Sequence, residues 1–313
     1  MQVQPLDSMP DANRQSFSTP VLLIMFNRPE TTARVFQAIR QARPKQLFIA
    51  ADGPRPEVSE DVNNCARARE IVKTIDWDCD VQTLFNEKNE GCRIAPGKAI
   101  TWFFDHTEEG IILEDDCVPH PTFFPYCQEL LHQYRNDQRI MMISGDNFQF
   151  GQNQTEYSYY FSEYPHIWGW ATWRRAWRFY DVHMQLWPEI VNKQWLASMV
   201  DSQELSYWRY IFEETYQGRI NTWDYQWVFS CWLQNGLTIL PQLNLVSNIG
   251  FGDEAIHTRD KSKLANIPVQ GLSFPLKHPS YILRNMNADR KTRKLFGLDS
   301  CLPGILRKIW RRS

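Results

Sequence analysis

Three adjacent carboxylates, Glu114, Asp115 and Asp116, follow directly on the apolar run Gly110-Ile111-Ile112-Leu113. Like charges repel and a strand end inside a cleft is partly desolvated, so a triplet in that position is costly unless something positive sits against it. A divalent cation answers the need. Mg²⁺ and Mn²⁺ take hard oxygen ligands, and one or two protein carboxylates suffice when phosphate oxygens complete the shell. Asp116, the last of the three, is the candidate metal ligand, with Glu114 and Asp115 reaching a metal-bound water; an isolated acidic triplet is more often a solvated turn, and it is the position at a buried strand end that favours the metal. Asp224, between Trp223 and Trp227, is a candidate general base whose basicity burial could raise, or else the cap or brace of a helix. Arg28 and Arg93 match a diphosphate, because a guanidinium offers two donors at once, and suit surface ion pairs as well. His257 could complete a metal shell or touch a phosphate, or make a structural hydrogen bond. Asn248 and Gly250 would let a loop backbone come close to phosphates.

The elements that must hold these residues are read from hydrophobic pattern. Val21 to Phe26 is a continuous apolar run ending in Asn27-Arg28-Pro29, the pattern of a strand buried on both faces. Pro29 opens a helix that Pro44 stops, Gln46 to Ala51 is a second buried strand, and Asp52-Gly53-Pro54 is its turn. Asn63 to Thr74 reads as a helix, Val81 to Phe85 as a strand running into the polar loop 86–91, Pro96 to His106 as a helix, and Gly110 to Leu113 as the strand before the acidic triplet. This alternation predicts right-handed βαβ units, an α/β fold and a mostly parallel central sheet flanked by helices. Ligands of such sheets bind beyond the carboxyl ends of the strands. That edge gathers Asn27, Arg28, Asp52, the 86–93 loop and the triplet.

Beyond Pro121 the pattern predicts a helix (Phe123 to Tyr134), a strand (Arg139 to Ser144), an aromatic stretch (Tyr157 to Tyr180), helices through Trp195 and Trp208, a late strand (Leu237 to Leu240) and a polar, glycine-containing loop (Asn244 to Thr258). The expected organisation is a polar lead over residues 1–19, one α/β domain over 20–260, and a basic, helical C-terminal appendage over 261–313.

Several short motifs fall in the order of a known family. Ile112-Leu113-Glu114-Asp115-Asp116, followed by Pro119 and Phe123-Phe124, resembles the Glu-Asp-Asp variant of the DxD motif in GT-A fold glycosyltransferases, particularly those similar to N-acetylglucosaminyltransferase I. Phe26-Asn27-Arg28-Pro29 resembles that family's first nucleotide-binding strand end, Asp52-Gly53 its uracil-contacting acidic turn, and Trp168-Gly169-Trp170 its acceptor loop. Thr222 to Trp227 is similar to the Trp-Asp-Asp-Trp segment that carries the family's catalytic base, with Tyr225 replacing one Asp, and the segment from Leu240 to Gly252, ending near His257, resembles its donor-covering loop. The resemblance implies a GT-A-like domain and metal-dependent, inverting transfer of a sugar from a nucleotide diphosphate donor, with UDP the expected nucleotide, to a glycan or lipid-linked acceptor. Mn²⁺ or Mg²⁺ would be held by Asp116 and His257. Donor contacts would come from Phe26, Asn27, Arg28, Asp52, Arg93, Glu114, Asp115, Asn248 and Gly250, acceptor contacts from Trp168, Gly169 and Trp170, and the base from Asp224.

Composition narrows the alternatives. The chain has 313 residues, 43% of them hydrophobic, which fills a sizeable core and excludes intrinsic disorder. A net charge of −2 and a pI near 6.4 give no global reason to expect nucleic acid binding. Neither GxxxxGK[ST] nor GxGxxG occurs, which argues against kinase and dinucleotide chemistry. A nucleotidyltransferase would share the carboxylates and metal but needs a glycine-rich basic loop near its first strand, which Phe26 to Thr32 does not offer. A non-catalytic sugar-binding protein would keep the aromatic walls without the base. The 13 Trp suit such walls, Trp168, Trp170 and Trp173 foremost, against the commoner fate of burial in a core. Seven Cys without a CxxC pair and a start lacking secretory-signal character fit reduced thiols in a cytoplasm. No apolar run is long enough to span a bilayer. From Arg284 to Ser313, nine Lys or Arg stand against two acids, interleaved with Leu, Ile, Phe and Trp. That mix suits peripheral contact with an anionic membrane on its cytoplasmic face, or a helix packed on the domain with its basic side in water.

Overall fold

The computed structural model describes residues 17–152, 155–251 and 264–296. Its centre is an eight-stranded sheet. The first half is built by β1 (Val21–Met25), α1 (Pro29–Ala42), β2 (Gln46–Ala51), α2 (Ser59–Arg69), β3 (Asp80–Phe85), α3 (Ala95–His106) and β4 (Glu109–Glu114). β3, β2, β1 and β4 lie side by side in that order, all parallel. The first helix opens on Pro29 and ends where Arg43 turns into the left-handed region (φ 51°) before Pro44. The helix expected over Asn63 to Thr74 divides: α2 stops at Arg69 and a 3₁₀ turn continues over Glu70–Thr74.

The second half departs from the mostly parallel expectation. It comprises β5 (Cys117–Pro119), α4 (Phe123–Gln133), β6 (Ile140–Ser144), β7 (Tyr159–Ser162), β8 (Trp170–Trp173), α5 (Arg174–Trp177), α6 (Trp187–Asn192), α7 (Trp195–Met199), α8 (Leu205–Tyr216), α9 (Asp224–Leu233), β9 (Leu237–Pro241), β10 (Val246–Asn248) and α10 (Met286–Leu295). β8 inserts antiparallel between β4 and β6, β9 runs parallel to β6, and β7 closes the edge antiparallel, so the sheet is mixed. Both strands within the aromatic stretch are four residues long and buried at every position. Without an exposed face they carry no alternation to betray them.

Side-chain alternation along β1 divides the interior in two. Leu23 and Met25 join Val35, Phe36 and Ile39 of α1 and Phe123 and Leu130 of α4 on one face. Leu22 joins Ile100 and Phe103 of α3, Trp177 of α5, and Trp223 and Trp227 on the other. α9 then serves two interiors, because its opposite side places Phe229 and Trp232 in a separate aromatic cluster with Trp187, Trp208 and Phe212. Most of the tryptophan excess is accounted for here: Trp170, Trp173, Trp187, Trp223, Trp227 and Trp232 are all fully buried.

Residues 264–296 are not set apart from the domain. Gln270 N–H donates to Asn244 O (2.8 Å), Ser158 N–H to Lys277 O (2.9 Å) and Asn285 N–H to Phe161 O (2.8 Å), and Ser162 Oγ donates to Asp289 of α10 (2.6 Å). The chain thus runs along the outer edge of the sheet. Of the expected helical appendage, α10 is described and residues 297–313 lie outside the described residues. No helix among the described residues is long and apolar enough to cross a membrane.

Candidate functional site

A cleft of about 1070 Å³ opens at the carboxyl ends of β1, β2 and β4 and extends to the start of α9. Parallel strands end in loops on the same edge, and β1 and β4 are direct neighbours in register Ile24↔Glu114. That register brings Phe26 and Arg28 beside the acidic triplet, 86 residues later in sequence for Arg28 and Glu114.

The three acids have three different situations. Asp115, 2% exposed, accepts from Phe26 N–H (3.0 Å) and pairs with Arg28. It locks the end of β1 to the end of β4. Asp116 takes the second arm of Arg28 (3.1 Å) on one oxygen and the Cys117 thiol (3.3 Å) on the other, at the edge of the cleft. Glu114 faces the cleft, and burial, then the charges of Asp116 and Asp115, push its pKa up to about 8. Burial likewise raises Asp115, with Arg28 opposing. Burial works against the Arg28 guanidinium, but the two aspartates outweigh it and hold its pKa above the ordinary arginine value. Arg28 thus offsets part of the charge of this patch from within the chain.

The short antiparallel pair β5/β10 delivers the late loop to the same place. Asn248 lies opposite Cys117, Ile249 N–H donates to Asp116 O (2.8 Å), and the Asn248 side chain accepts from Gly250 N–H (2.8 Å). A Cβ on Gly250 would run into the Asp116 carboxylate and lie 2.8 Å from Arg28 Nη1. Only glycine leaves room there.

Across the cleft, Asp224 is the first residue of α9. Its carboxylate accepts from the Thr222 hydroxyl and from Tyr225 N–H (2.9 Å). Its charge is felt by Glu114, whose pKa it helps to raise. Glu114, Asp116 and the candidate base Asp224 thus line one cleft. Cys92 also lines the cleft, its thiol pushed up by burial and then by the charges of Glu114 and Asp224.

Other expected site residues are differently placed. Asp52 borders the cleft, but its carboxylate is taken up by backbone N–H groups of Gly53 (2.9 Å), Glu90 (3.0 Å) and Gly91 (3.0 Å) and by the amides of Asn86 (3.1 Å) and Asn89 (2.9 Å). It shapes the 86–91 loop, and Asn86 and Asn89 are the groups that loop presents to the cleft. Asn27 donates to the buried Asp61 (2.7 Å), which also holds Arg55. Arg93 turns from the cleft toward Val182 O (3.3 Å). Trp168 lines the cleft and meets Phe251 edge-on at 5.5 Å. Trp170 does not line it: it is wholly buried and stacks on Trp223 at 5.8 Å. Gly169 adopts φ 64° with its Cβ position 2.8 Å from Val246 Cγ2, so its role is in packing. Trp173 is also core, its indole N–H bonded to Leu131 O (3.1 Å). His257 lies outside the described residues.

Sequence reading missed the pair behind the Trp168 wall. Asp146, buried, accepts from His166 Nδ1 (2.7 Å) and from Trp168 N–H (3.2 Å), and so fixes the segment that lines the cleft. No spacing in sequence advertises it. At the far end, Arg219 pairs with Glu214 (2.7 Å), and Tyr210, Asn221 and Tyr225 complete the wall.

Among the described residues, no group of three or more His, Cys, Asp or Glu side chains is arranged to hold a metal ion. The donor set at the triplet is Asp116 with Glu114 beside it. Two carboxylates fit a Mg²⁺ or Mn²⁺ ion whose remaining ligands come from phosphate and water, and do not fit an all-protein cage.

No family model matches the chain, and no curated protein matches it. Among solved structures, it is similar to the crystal structure of HddC from Yersinia pseudotuberculosis, with 7% sequence identity and a TM-score of 0.31 over 50% of this chain and 77% of that one. A likeness so slight carries no argument about fold family or chemistry.

Proposed function

We propose that the protein is a metal-dependent, inverting glycosyltransferase of the GT-A type, taking a sugar from a nucleotide diphosphate donor, UDP-linked in this reading, to a carbohydrate acceptor. The observation that carries the reading is the presence of two acidic centres in the lining of one cleft: Glu114 and Asp116 at the end of β4, and Asp224 at the start of α9. One centre suits a leaving diphosphate and the other an attacking hydroxyl.

Asp116, with Glu114 beside it, would hold Mn²⁺ or Mg²⁺, which supplies Lewis-acid stabilisation of the departing diphosphate. Arg28 keeps the aspartates in place and brings a second positive charge to the same edge. Gly250 and Asn248 let the late loop approach the phosphates. The nucleoside would lie over Ala50, Ala51 and Leu84 beside Asn86 and Asn89, which line the cleft. Asp224 accepts the proton of the acceptor hydroxyl while that oxygen attacks the anomeric carbon. The bond from that carbon to the diphosphate oxygen breaks, the electron pair leaves with the nucleoside diphosphate, and the configuration inverts. The hydrogen bonds from Thr222 and Tyr225 fix the aim of the base, and Trp168 offers an aromatic wall to a sugar ring.

The test is release of nucleoside diphosphate from a panel of nucleotide sugars, with and without Mn²⁺ and acceptor saccharides. Turnover should require the ion. Asp224→Asn should lower kcat on the order of 10²- to 10⁴-fold with donor affinity kept, the range for loss of a general base. Donor binding without turnover would favour a carbohydrate-binding protein, and absence of donor binding would refute the proposal.

A further inference from the structure

Nine large apolar side chains are exposed among the described residues, and five of them, Phe150, Tyr281, Leu283, Met286 and Phe296, belong to α10, its approach or the loop beside it. Leu283 is 68% exposed, Met286 63% and Tyr281 54%. Phe150 is brought alongside by its neighbours: Gln149 Nε2 donates to Thr292 Oγ1 (3.0 Å) and Lys291 Nζ to Gln152 Oε1 (2.6 Å). Such a concentration is unusual on a soluble surface, where single exposed apolar residues are ordinarily scattered.

The charge on the same face has one sign. α10 turns Ala288, Asp289 and Thr292 inward, and its outer side shows Met286, Asn287, Arg290, Lys291 and Lys294, three cations and no acid. The acids nearby are all engaged: Asp289 and Glu163 with Arg284, Asp201 with Arg293, and Glu156 with Lys277. The chain continues from Phe296 into residues 297–313, where Leu302, Ile305, Leu306, Ile309 and Trp310 alternate with Arg307, Lys308, Arg311 and Arg312. The same mixture of apolar and basic residues is thus repeated beyond the helix.

We infer that this face docks on a bilayer rich in anionic headgroups. Tyr281, Leu283 and Met286 enter the boundary between headgroups and acyl chains, while Arg290, Lys291 and Lys294 meet lipid phosphates, the two contributions that hold an amphipathic element on a membrane. A nucleic acid or an acidic protein would use the cations but leave Leu283 and Met286 in water. The inference does not depend on the transferase reading. It does place a membrane near the cleft, because Phe148 packs edge-on against both Phe296 (5.6 Å) and the cleft residue Trp168 (5.1 Å).

The experiment is co-sedimentation of the full chain with phosphatidylglycerol-rich vesicles and with pure phosphatidylcholine vesicles. The protein should sediment with the first and stay in solution with the second, and added salt should weaken the binding. R290Q/K291Q/K294Q should weaken it on the order of 100-fold, and L283S/M286S about tenfold, both with an unchanged melting temperature because all five positions are on the surface. Equal behaviour on the two kinds of vesicle overturns the inference. So does wild-type binding by both variants, or binding to heparin and DNA without binding to vesicles.

Discussion

Arg28→Met removes the guanidinium that joins Asp115 to Asp116. Its side chain is 18% exposed, against 3% and 15% for the two aspartates, so the substitution leaves like charges facing each other in a poorly hydrated place. Breaking a buried ion pair by removing one partner costs about 3–5 kcal/mol. Asp116 borders the open cleft, where water softens the loss, so about 3 kcal/mol is expected here. At about 2 °C per kcal/mol for a chain of this size, the melting temperature falls by about 6 °C. Two rescues follow from the same electrostatics. Acid should narrow the deficit, because unpaired carboxylates in the folded variant hold protons more tightly than in the unfolded chain. Mn²⁺ should narrow it too, by replacing the missing charge. Thermal melts of wild type and variant at pH 5 and pH 8, with and without Mn²⁺, make the comparison. A deficit below about 1 kcal/mol that ignores both pH and metal would refute the view that Arg28 is the counter-charge of this patch.

Three more outcomes are expected. With no metal ion beside it, burial and then the charges of Asp116 and Asp115 push the Glu114 pKa up to about 8, from 4.5 for an ordinary glutamate, so in metal-free protein stability declines as pH rises between those values. Melting temperature should therefore drop from pH 6 to pH 9, less steeply in Glu114→Gln, and an equal slope in the two proteins would count against this assignment. Gly250→Ala sets a methyl group against the Asp116 carboxylate and close to Arg28, so titration calorimetry should show Mn²⁺-dependent nucleotide affinity reduced about tenfold or more, a loss of about 1.4 kcal/mol, with a lower melting temperature as the Arg28–Asp116 pair is displaced. Trp170→Ala should cost about 3–5 kcal/mol as a core truncation, whereas Trp168→Ala, at a position only partly buried against the core, should cost less stability and weaken saccharide binding; denaturant titrations and acceptor KM values separate the two.

The parallel half of the sheet was legible because β1, β2 and β4 are apolar runs ending in polar turns, and the carboxyl-end rule then placed Arg28 beside Glu114, Asp115 and Asp116. Asp224 and Gly250 reached the same cleft from segments far along the chain. The antiparallel strands β7 and β8 were not legible, since burial on both faces erases the period that marks a strand. Residue type also misled where orientation decides the role. Asp52 ends a strand as a ligand-reading acid would, yet five donors of its own loop and turn occupy it. Trp170 lies two positions from the cleft residue Trp168, yet pleating and packing carry it into the core against Trp223. Arg93 sits in the right loop and points the wrong way. Pairwise contacts such as Asp146 with His166 and Trp168 leave no trace in spacing at all.

A crystal structure with Mn²⁺ and a UDP-sugar bound bears most directly on the proposed chemistry. The account predicts anomalous density from the ion against the Asp116 carboxylate and the diphosphate, with the anomeric carbon of the sugar turned toward Asp224. A nucleotide bound elsewhere, or bound in this cleft with the ion away from Asp116 and the sugar away from Asp224, would contradict it.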